Sequence, residues 1–135
     1  PERARLETLY PDAELMGELP QDRVAEAYAA ADVFALLSAH EPWGVVVNEA
    51  AATGLPLVLS ERVGAAADLL RDGENGMLVP HGDVRATADA FRRLAADPEL
   101  RRRYGARSRE LVSAWGYEPS VENLVTSCYE AIASR

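Results

Sequence analysis

The sequence predicts an α/β domain in which helices cover both faces of a parallel sheet, and three features predict it. Apolar runs without alternation, Val33–Leu37 and Pro56–Ser60, are typical of strands that are covered on both faces. Segments with apolar residues at helical spacing lie between these runs. Strands and helices therefore alternate along the chain, a pattern that favours parallel strands joined by helical crossovers.

The first half of the chain is predicted to hold three helices and two strands. They are the end of a helix at residues 3–10, a short strand over Ala13–Gly17, a helix over Gln21–Ala31, the strand Val33–Leu37 and a helix over Gly44–Thr53. The last of these helices has a clear end, because Gly54 suits a C-terminal cap and Pro56 cannot continue a helix.

The second half is predicted to continue the alternation and to end in helices. The segments are the strand Pro56–Ser60, a short helix over Ala65–Leu70, a strand over Gly76–Val79, and helices from Asp83 to Ala96, from Asp97 to about Ala114 and over roughly Pro119–Ser134. Asp83 and Asp97 are predicted N-caps, the second followed by a proline at the first helical position. Cys128, the single cysteine, is predicted to be a small buried apolar residue of the last helix.

Length and charge limit the function. The chain of 135 residues corresponds to one domain or a large piece of one. A formal net charge of −8 argues against nonspecific nucleic-acid binding, and the single cysteine is typical of a cytoplasmic protein.

All 14 basic residues are arginines, and eight of them lie between Arg85 and Arg109. We favour a solvated, acid-paired helical face for this cluster over a basic stripe that contacts an anionic membrane.

The candidate site is the stretch between Glu41 and Glu49, which should connect the strand Val33–Leu37 to the next helix. A strand that ends in a loop and opens a helix presents backbone N–H groups and a positive dipole end to an anion, and Gly44 and Val45 would supply these groups. Carboxylates on either side of such an anion are suited to accepting hydrogen bonds from hydroxyls. A phosphate between hydroxyl-binding acids indicates a nucleotide sugar.

Three motifs carry a resemblance to a known family. They are Glu41-Pro-Trp-Gly-Val-Val-Val-Asn-Glu-Ala, Gly54-Leu-Pro-Leu-Val and Asp72-Gly-Glu-Asn-Gly-Met-Leu-Val. In this order and spacing they resemble the C-terminal, donor-binding half of a family 4 retaining glycosyltransferase, whose Glu-x7-Glu motif Glu41 and Glu49 match. The resemblance covers nearly the whole chain and implies the second half of a GT-B fold, a three-layer Rossmann-like domain.

The resemblance also implies roles for individual residues. Glu41 would contact the transferred sugar and is the catalytic candidate, whereas Glu49 would hold the ribose hydroxyls. The segment from Gly17 through Leu19 to Pro20 is interpreted first as a turn, and the resemblance implies that it would also hold the nucleotide base. The donor would be a nucleoside diphosphate sugar, the acceptor a saccharide, a lipid-linked group or a small molecule, and no metal or other cofactor would be required.

Neighbouring residues leave alternatives open. Trp43 would be either a wall for the sugar ring or a cap on the core. Pro42 replaces the glycine that is more usual in the family and removes one donor N–H. We interpret His40 as loop structure in preference to an acid–base group, and His81 as a turn residue. The sequence shows no metal-ligand cluster, P-loop or Ser/His/Asp order.

The resemblance further implies that the chain is N-terminally incomplete. The family's first two strands of this half, with an Arg and a Lys that neutralise the diphosphate, and its whole N-terminal domain would be absent. The fragment alone is then expected to be inactive. It is expected either to self-associate through an open strand edge, to repack its first strand, or to have been excised from a larger folded chain. A nucleotide-sugar epimerase of the same fold and a non-catalytic nucleotide-binding module are the competing interpretations. Peripheral membrane contact of an otherwise cytoplasmic enzyme remains an expectation.

Overall fold

The computed structural model describes residues 2–116, 121, 126–127 and 129–130. Most of the last predicted helix, including Cys128, lies outside the described residues. The described elements are α1 (Glu2–Leu9), α2 (Gln21–Ala30), β1 (Phe34–Leu36), α3 (Val45–Thr53), β2 (Leu57–Ser60), α4 (Ala66–Leu69), β3 (Gly76–Val79), α5 (Val84–Ala96) and α6 (Pro98–Ser113). The three strands form a parallel sheet in the order β1-β2-β3. The predicted α/β architecture with a parallel sheet is confirmed.

Two apolar clusters, one on each face of the sheet, make the domain three-layered. Leu57 and Leu59 of β2 pack with α3, whereas Val58 between them packs with Met77 of β3 and Leu94 of α5. Every residue of β2 is buried, as its apolar sequence predicts. Each large apolar side chain that is fully removed from water stabilises the folded state by about 1.5–3 kcal/mol. Because β2 is buried along its whole length, it lies at the centre of the fold.

Helix α6 joins the two clusters. Tyr104 is buried in the α5-side cluster, and Val112 packs against the α3-side cluster. Between them the helix passes very close to the end of α3: a Cβ added to Gly105 would lie 2.0 Å from the carbonyl oxygen of Gly54. This contact requires glycine at position 105. The predicted caps are also present, since the Asp97 carboxylate accepts a hydrogen bond from the amide of Leu100.

The strand predicted for Ala13–Gly17 is wrong. These residues have no regular secondary structure and carry no strand pairing. The carbonyl of Leu15 instead accepts a hydrogen bond of 2.8 Å from the Arg3 guanidinium, and Gly17 is left-handed with φ +69°. A strand is defined by its ladder of hydrogen bonds, and among the described residues no strand lies beside this segment.

Strand β1 is shorter and less covered than its sequence predicts. It spans three residues, and the side chain of Ala35 is exposed while Phe34 and Leu36 are half-buried toward α3. Leu37, just beyond it, is 40% exposed. The prediction that both faces of Val33–Leu37 are covered is therefore wrong in this part of the chain. The reason is position: β1 is an edge strand of the described sheet, and α5 lies over β2 and β3.

The arginine-rich segment agrees with a solvated, paired face. Arg92 and Arg102 pair with acids three residues earlier on their own helices, and Arg107 pairs with both Glu74 and Glu110. Arg101 donates to the carbonyl of Leu94 at the end of α5. Contact of this face with a membrane stays a prediction.

Candidate functional site

The candidate site lies at the carboxyl edge of the sheet, where parallel α/β proteins bind ligands. The loop after β1 carries Glu41 through Gly44, and the loop after β2 carries Glu61 through Gly64. Because β1 and β2 are neighbouring parallel strands, their following loops meet at this edge.

Backbone hydrogen bonds join the two loops. The amide of Glu41 donates to Arg62 at 3.1 Å, the amide of Gly64 donates back to Glu41 at 2.8 Å, and the amide of Ala65 donates to Trp43 at 2.9 Å. The contact is so close that a Cβ on Gly64 would lie 2.0 Å from the carbonyl oxygen of Pro42. The position of Glu41 is therefore set by the backbone of both loops.

Glu41 lies beside the start of α3. Its side chain is half-buried, and its Oε1 atom accepts a hydrogen bond from the amide of Trp43 at 3.3 Å. Gly44 caps the helix in the left-handed conformation, φ +91°, and a Cβ there would lie 3.2 Å from Cγ of Glu41. Glycine therefore both begins the helix and leaves room for the acid. Within the described part of the chain, the amides of Gly44 and Val45 have no acceptor, which fits the predicted anion site.

Trp43 packs on the core. Its Nε1 atom donates to Oδ1 of Asn48 at 3.0 Å, and its ring lies 5.1 Å from that of Trp115. It also packs against the α3-side cluster. Of the two predicted roles, these contacts favour the cap on the core over the wall for a sugar ring.

Glu49 is positioned separately from Glu41. It is the fifth residue of α3 and lies beyond the first turn, where the dipole effect falls off. Its Oε2 atom accepts a hydrogen bond of 3.0 Å from the Tyr28 hydroxyl. Burial of Tyr28, with this hydrogen bond and the Glu49 charge, raises the pKa of the phenol to about 12.

The two acids line different hollows. Glu41 borders an open depression of about 580 Å³ between the loops after β1 and β2 and the turn before β3. Glu49 borders a groove between α3 and the end of α6, together with Arg109 and Trp115. The structure thus brings Glu41, Gly44 and Val45 together and places Glu49 one helical turn away.

The remaining predicted residues lie further out. Gly17 is exposed and Leu19 is half-buried in the segment before α2. His40 is exposed at the rim of the depression, and His81 lies in the turn after β3. Among the described residues, no group of three His, Cys, Asp or Glu is placed to hold a metal ion.

Sequence reasoning missed Glu61, Arg62 and Asp72, which line the depression. Glu61 and Arg62 directly follow β2, so the rule that ligands bind after the carboxyl ends of parallel strands could have found them. The carboxylate of Asp72 accepts a hydrogen bond of 2.9 Å from the amide of Leu78.

A parallel α/β domain with an acid and an open helix start at the carboxyl edge belongs to the class of ligand-binding α/β domains. The family described as glycosyl transferases group 1 matches residues 2–111. The chain therefore belongs to this family. The N-acetyl-alpha-D-glucosaminyl L-malate synthase of Bacillus anthracis is 39% identical over 112 residues, which are 83% of this chain and 28% of that protein.

Solved structures agree on the fold. Sucrose-phosphate synthase from Thermosynechococcus elongatus superposes with a TM-score of 0.81 at 32% identity, over 99% of this chain and 35% of its own. Anabaena HepE, solved in complex with UDP-glucose, superposes with a TM-score of 0.76 at 22% identity, over 99% of this chain and 36% of its own, a likeness of fold alone. The structural neighbours are GT-B glycosyltransferases, which confirms the predicted fold class.

The chain spans about a third of the length of these relatives, between 28% and 36%. No helix in the described part of the chain has the length and apolar character needed to cross a membrane. The family match favours a glycosyltransferase over the epimerase and over the non-catalytic module.

Proposed function

We propose that this domain binds the nucleoside diphosphate sugar donor of a family 4 retaining glycosyltransferase, as the C-terminal half of a longer, cytoplasmic enzyme. The observation that carries the proposal is the Glu41 carboxylate, which two loops fix beside the open start of α3. An acid in that place can bind sugar hydroxyls while the adjacent amides bind a phosphate.

The proposed donor extends along the start of α3. The amides of Gly44 and Val45 contact the diphosphate, Glu41 contacts the transferred sugar, and Glu49 accepts hydrogen bonds from the ribose. Leu19 and Gly17, in the segment before α2, contact the base. The fold of HepE, whose structure holds UDP-glucose, supports such a donor.

The proposed reaction replaces one C–O bond with another. The bond between the anomeric carbon and the diphosphate breaks, and the diphosphate leaves with the electron pair. An acceptor hydroxyl forms the new bond with retention, and its proton passes to the leaving phosphate oxygen. Donors aimed at the growing negative charge lower the barrier, and here the α3 amides supply part of this stabilisation without a metal ion. Arg and Lys residues elsewhere in the longer enzyme would supply the rest.

Nucleotide titration tests the donor site. Amide signals of the isotope-labelled chain are followed by NMR while UDP, GDP or ADP is added to millimolar concentration. We expect the signals of Gly44, Val45 and Tyr28 to shift with the preferred nucleotide. Glu49→Ala should weaken binding about ten- to a hundredfold, because a charge-assisted acceptor for the ribose is lost. The matched control Glu99→Ala, on α6, should bind normally. Unchanged affinity in Glu49→Ala would remove the ribose role.

The role of Glu41 is tested by turnover in the full-length enzyme. Glu41→Gln should lower the transfer rate and leave the affinity for the free nucleoside diphosphate nearly intact, because the proposed partner of Glu41 is the sugar. Loss of nucleotide affinity with an unchanged rate would instead reverse the roles of the two acids. An epimerase would isomerise the donor sugar in the absence of an acceptor, and a non-catalytic module would consume no donor.

A further inference from the structure

The depression beside Glu41 adjoins the end of the proposed donor site at which the sugar would lie. It is bordered by Glu41, Glu61, Arg62 and Asp72 and does not include Glu49, which faces the separate groove near Trp115. If the donor extends from its nucleotide at Glu49 to its sugar at Glu41, the depression lies past the sugar end. The group that occupies this place in a transfer reaction is the one that receives the sugar.

The depression has the composition of a small-molecule site. Its floor is apolar, since Val63, Ala66 and Leu70 are at most 7% exposed. Its rim is polar and open to solvent, and its volume of about 580 Å³ is ample for a sugar-sized ring. Pockets that bind small molecules combine apolar walls with a few polar groups that fix the orientation of the ligand.

Glu61 and Arg62 are polar groups at the rim that keep hydrogen-bonding capacity. Nε of Arg62 and Oε1 of Glu61 are 3.7 Å apart, too far for a direct hydrogen bond, and the side chains are 62% and 50% exposed. Within the described residues, the Arg62 guanidinium has no other partner, and it is the backbone amide of Arg62 that donates to the Ser60 hydroxyl. Arg71 on the same depression differs, because its Nη1 atom donates to three carbonyls at the end of α4.

The charges favour a neutral, hydroxylated ligand. The rim carries three carboxylates, of Glu41, Glu61 and Asp72, against the guanidinium groups of Arg62 and Arg71. This balance gives a polyanion no excess of positive charge. Arg62 and Glu61 form an exposed ion pair, 3.7 Å apart, with no direct hydrogen bond between them, and this suits neighbouring hydroxyls of one ring, one accepting from Arg62 and one donating to Glu61.

We propose that the depression binds the hydroxylated acceptor, with Arg62 and Glu61 as the residues that select and orient it beside Glu41. The proposal rests on the donor site described above. It places acceptor recognition partly on this domain and assigns it to residues that the Glu41–Glu49 motif does not contain. The transferred sugar of the donor has the same hydroxyl chemistry, and the test separates the two.

The test maps binding on the labelled 135-residue chain by NMR. Methyl α-D-glucopyranoside and myo-inositol are the acceptor probes, and UDP-glucose compared with UDP is the donor-sugar probe. We expect the polyols to shift the amide signals of Gly64, Leu70 and Asp72. Arg62→Gln and Glu61→Gln should weaken this binding about tenfold, the loss expected for one charge-assisted hydrogen bond. The control pair is Arg102→Gln and Glu99→Gln on α6, which should have no effect.

Three results would overturn the proposal. The first is that neither polyol shifts these signals. The second is that the α6 variants weaken binding as much as the depression variants do. In the third, UDP-glucose shifts the depression signals and UDP does not, which would assign the depression to the donor sugar. The proposed donor site is refuted separately if no nucleotide shifts the amide signals of Gly44, Val45 or Tyr28, regardless of whether the polyols bind.

Discussion

Replacing Gly64 by alanine tests the two-loop frame that holds Glu41. The added Cβ would lie 2.0 Å from the carbonyl oxygen of Pro42 and 2.8 Å from its carbonyl carbon, both backbone atoms that no rotamer change can move. Restoring an ordinary C···O separation of about 3.3 Å requires the loops to part by more than an ångström. The hydrogen bonds from Gly64 to Glu41 and from Ala65 to Trp43, now 2.8 and 2.9 Å, would then break.

The cost follows from these contacts. Two hydrogen bonds at roughly 0.5–1.5 kcal/mol each, together with the strain of overpacking, predict that Gly64→Ala lowers the free energy of unfolding by about 2–4 kcal/mol. Urea denaturation followed by circular dichroism measures this value. The control is Gly82→Ala, where φ is +77° but the Cβ meets nothing within 4 Å, so that only the left-handed strain of about 1–2 kcal/mol applies.

The amide signals of Glu41 and Trp43 give a second measurement, because the frame predicts that they shift in Gly64→Ala and remain in place in Gly82→Ala. The reasoning is refuted if Gly64→Ala unfolds no more easily than Gly82→Ala and leaves those two signals unchanged. In that case the loops would not depend on the close contact of Gly64 with Pro42.

Three further predictions concern other parts of the domain. Asn75→Ala should cost about 2–4 kcal/mol in urea denaturation, because fully buried Asn75 donates to Leu69 and accepts from the amide of Arg71, which lose buried partners. The pKa of Tyr28 is raised to about 12, so its contribution to the stability of the fold is fully present below the unfolded pKa near 10 and is lost as the pH rises through about 12. Glu49→Gln should lower this pKa in a tyrosinate absorbance titration, and an unchanged pKa would contradict the contact. The open edge of β1 predicts concentration-dependent association of the 135-residue chain in sedimentation, which Ala35→Glu should reduce, whereas a monomer at all concentrations would contradict it.

The sequence predicts the elements whose signals are local. The bounds of α5 and α6 follow from Asp83 and Asp97, whose carboxylates cap the helices as expected. The strand β2 follows from its uniformly apolar composition, because a strand in the middle of a parallel sheet is buried on both faces. In these elements the residues that determine the structure lie close together in the sequence, so the sequence pattern is enough to predict it.

The predictions that fail depend on partners distant in sequence or outside the described residues. Residues 13–17 have a strand-like composition but no neighbouring strand, and Arg3 binds their backbone instead. The composition of β1 cannot show that it lies at an edge of the described sheet. For the same reason the motif gives the spacing of Glu41 and Glu49 but not the contribution of Glu61 and Arg62, which only the pairing of β1 with β2 brings next to Glu41.

The two acids of the motif are held in different ways, and this difference has a consequence for binding. Glu41 is fixed through its own amide and carbonyl, so its place does not depend on any side chain. Glu49 is exposed, and its one side-chain partner among the described residues is the Tyr28 hydroxyl. A carboxylate accepts several hydrogen bonds, so Glu49 can keep Tyr28 and still bind a ribose. In the proposed donor site, Tyr28 would orient Glu49 before a nucleotide binds and would lower the entropy cost of binding, whereas Glu41 needs no such partner.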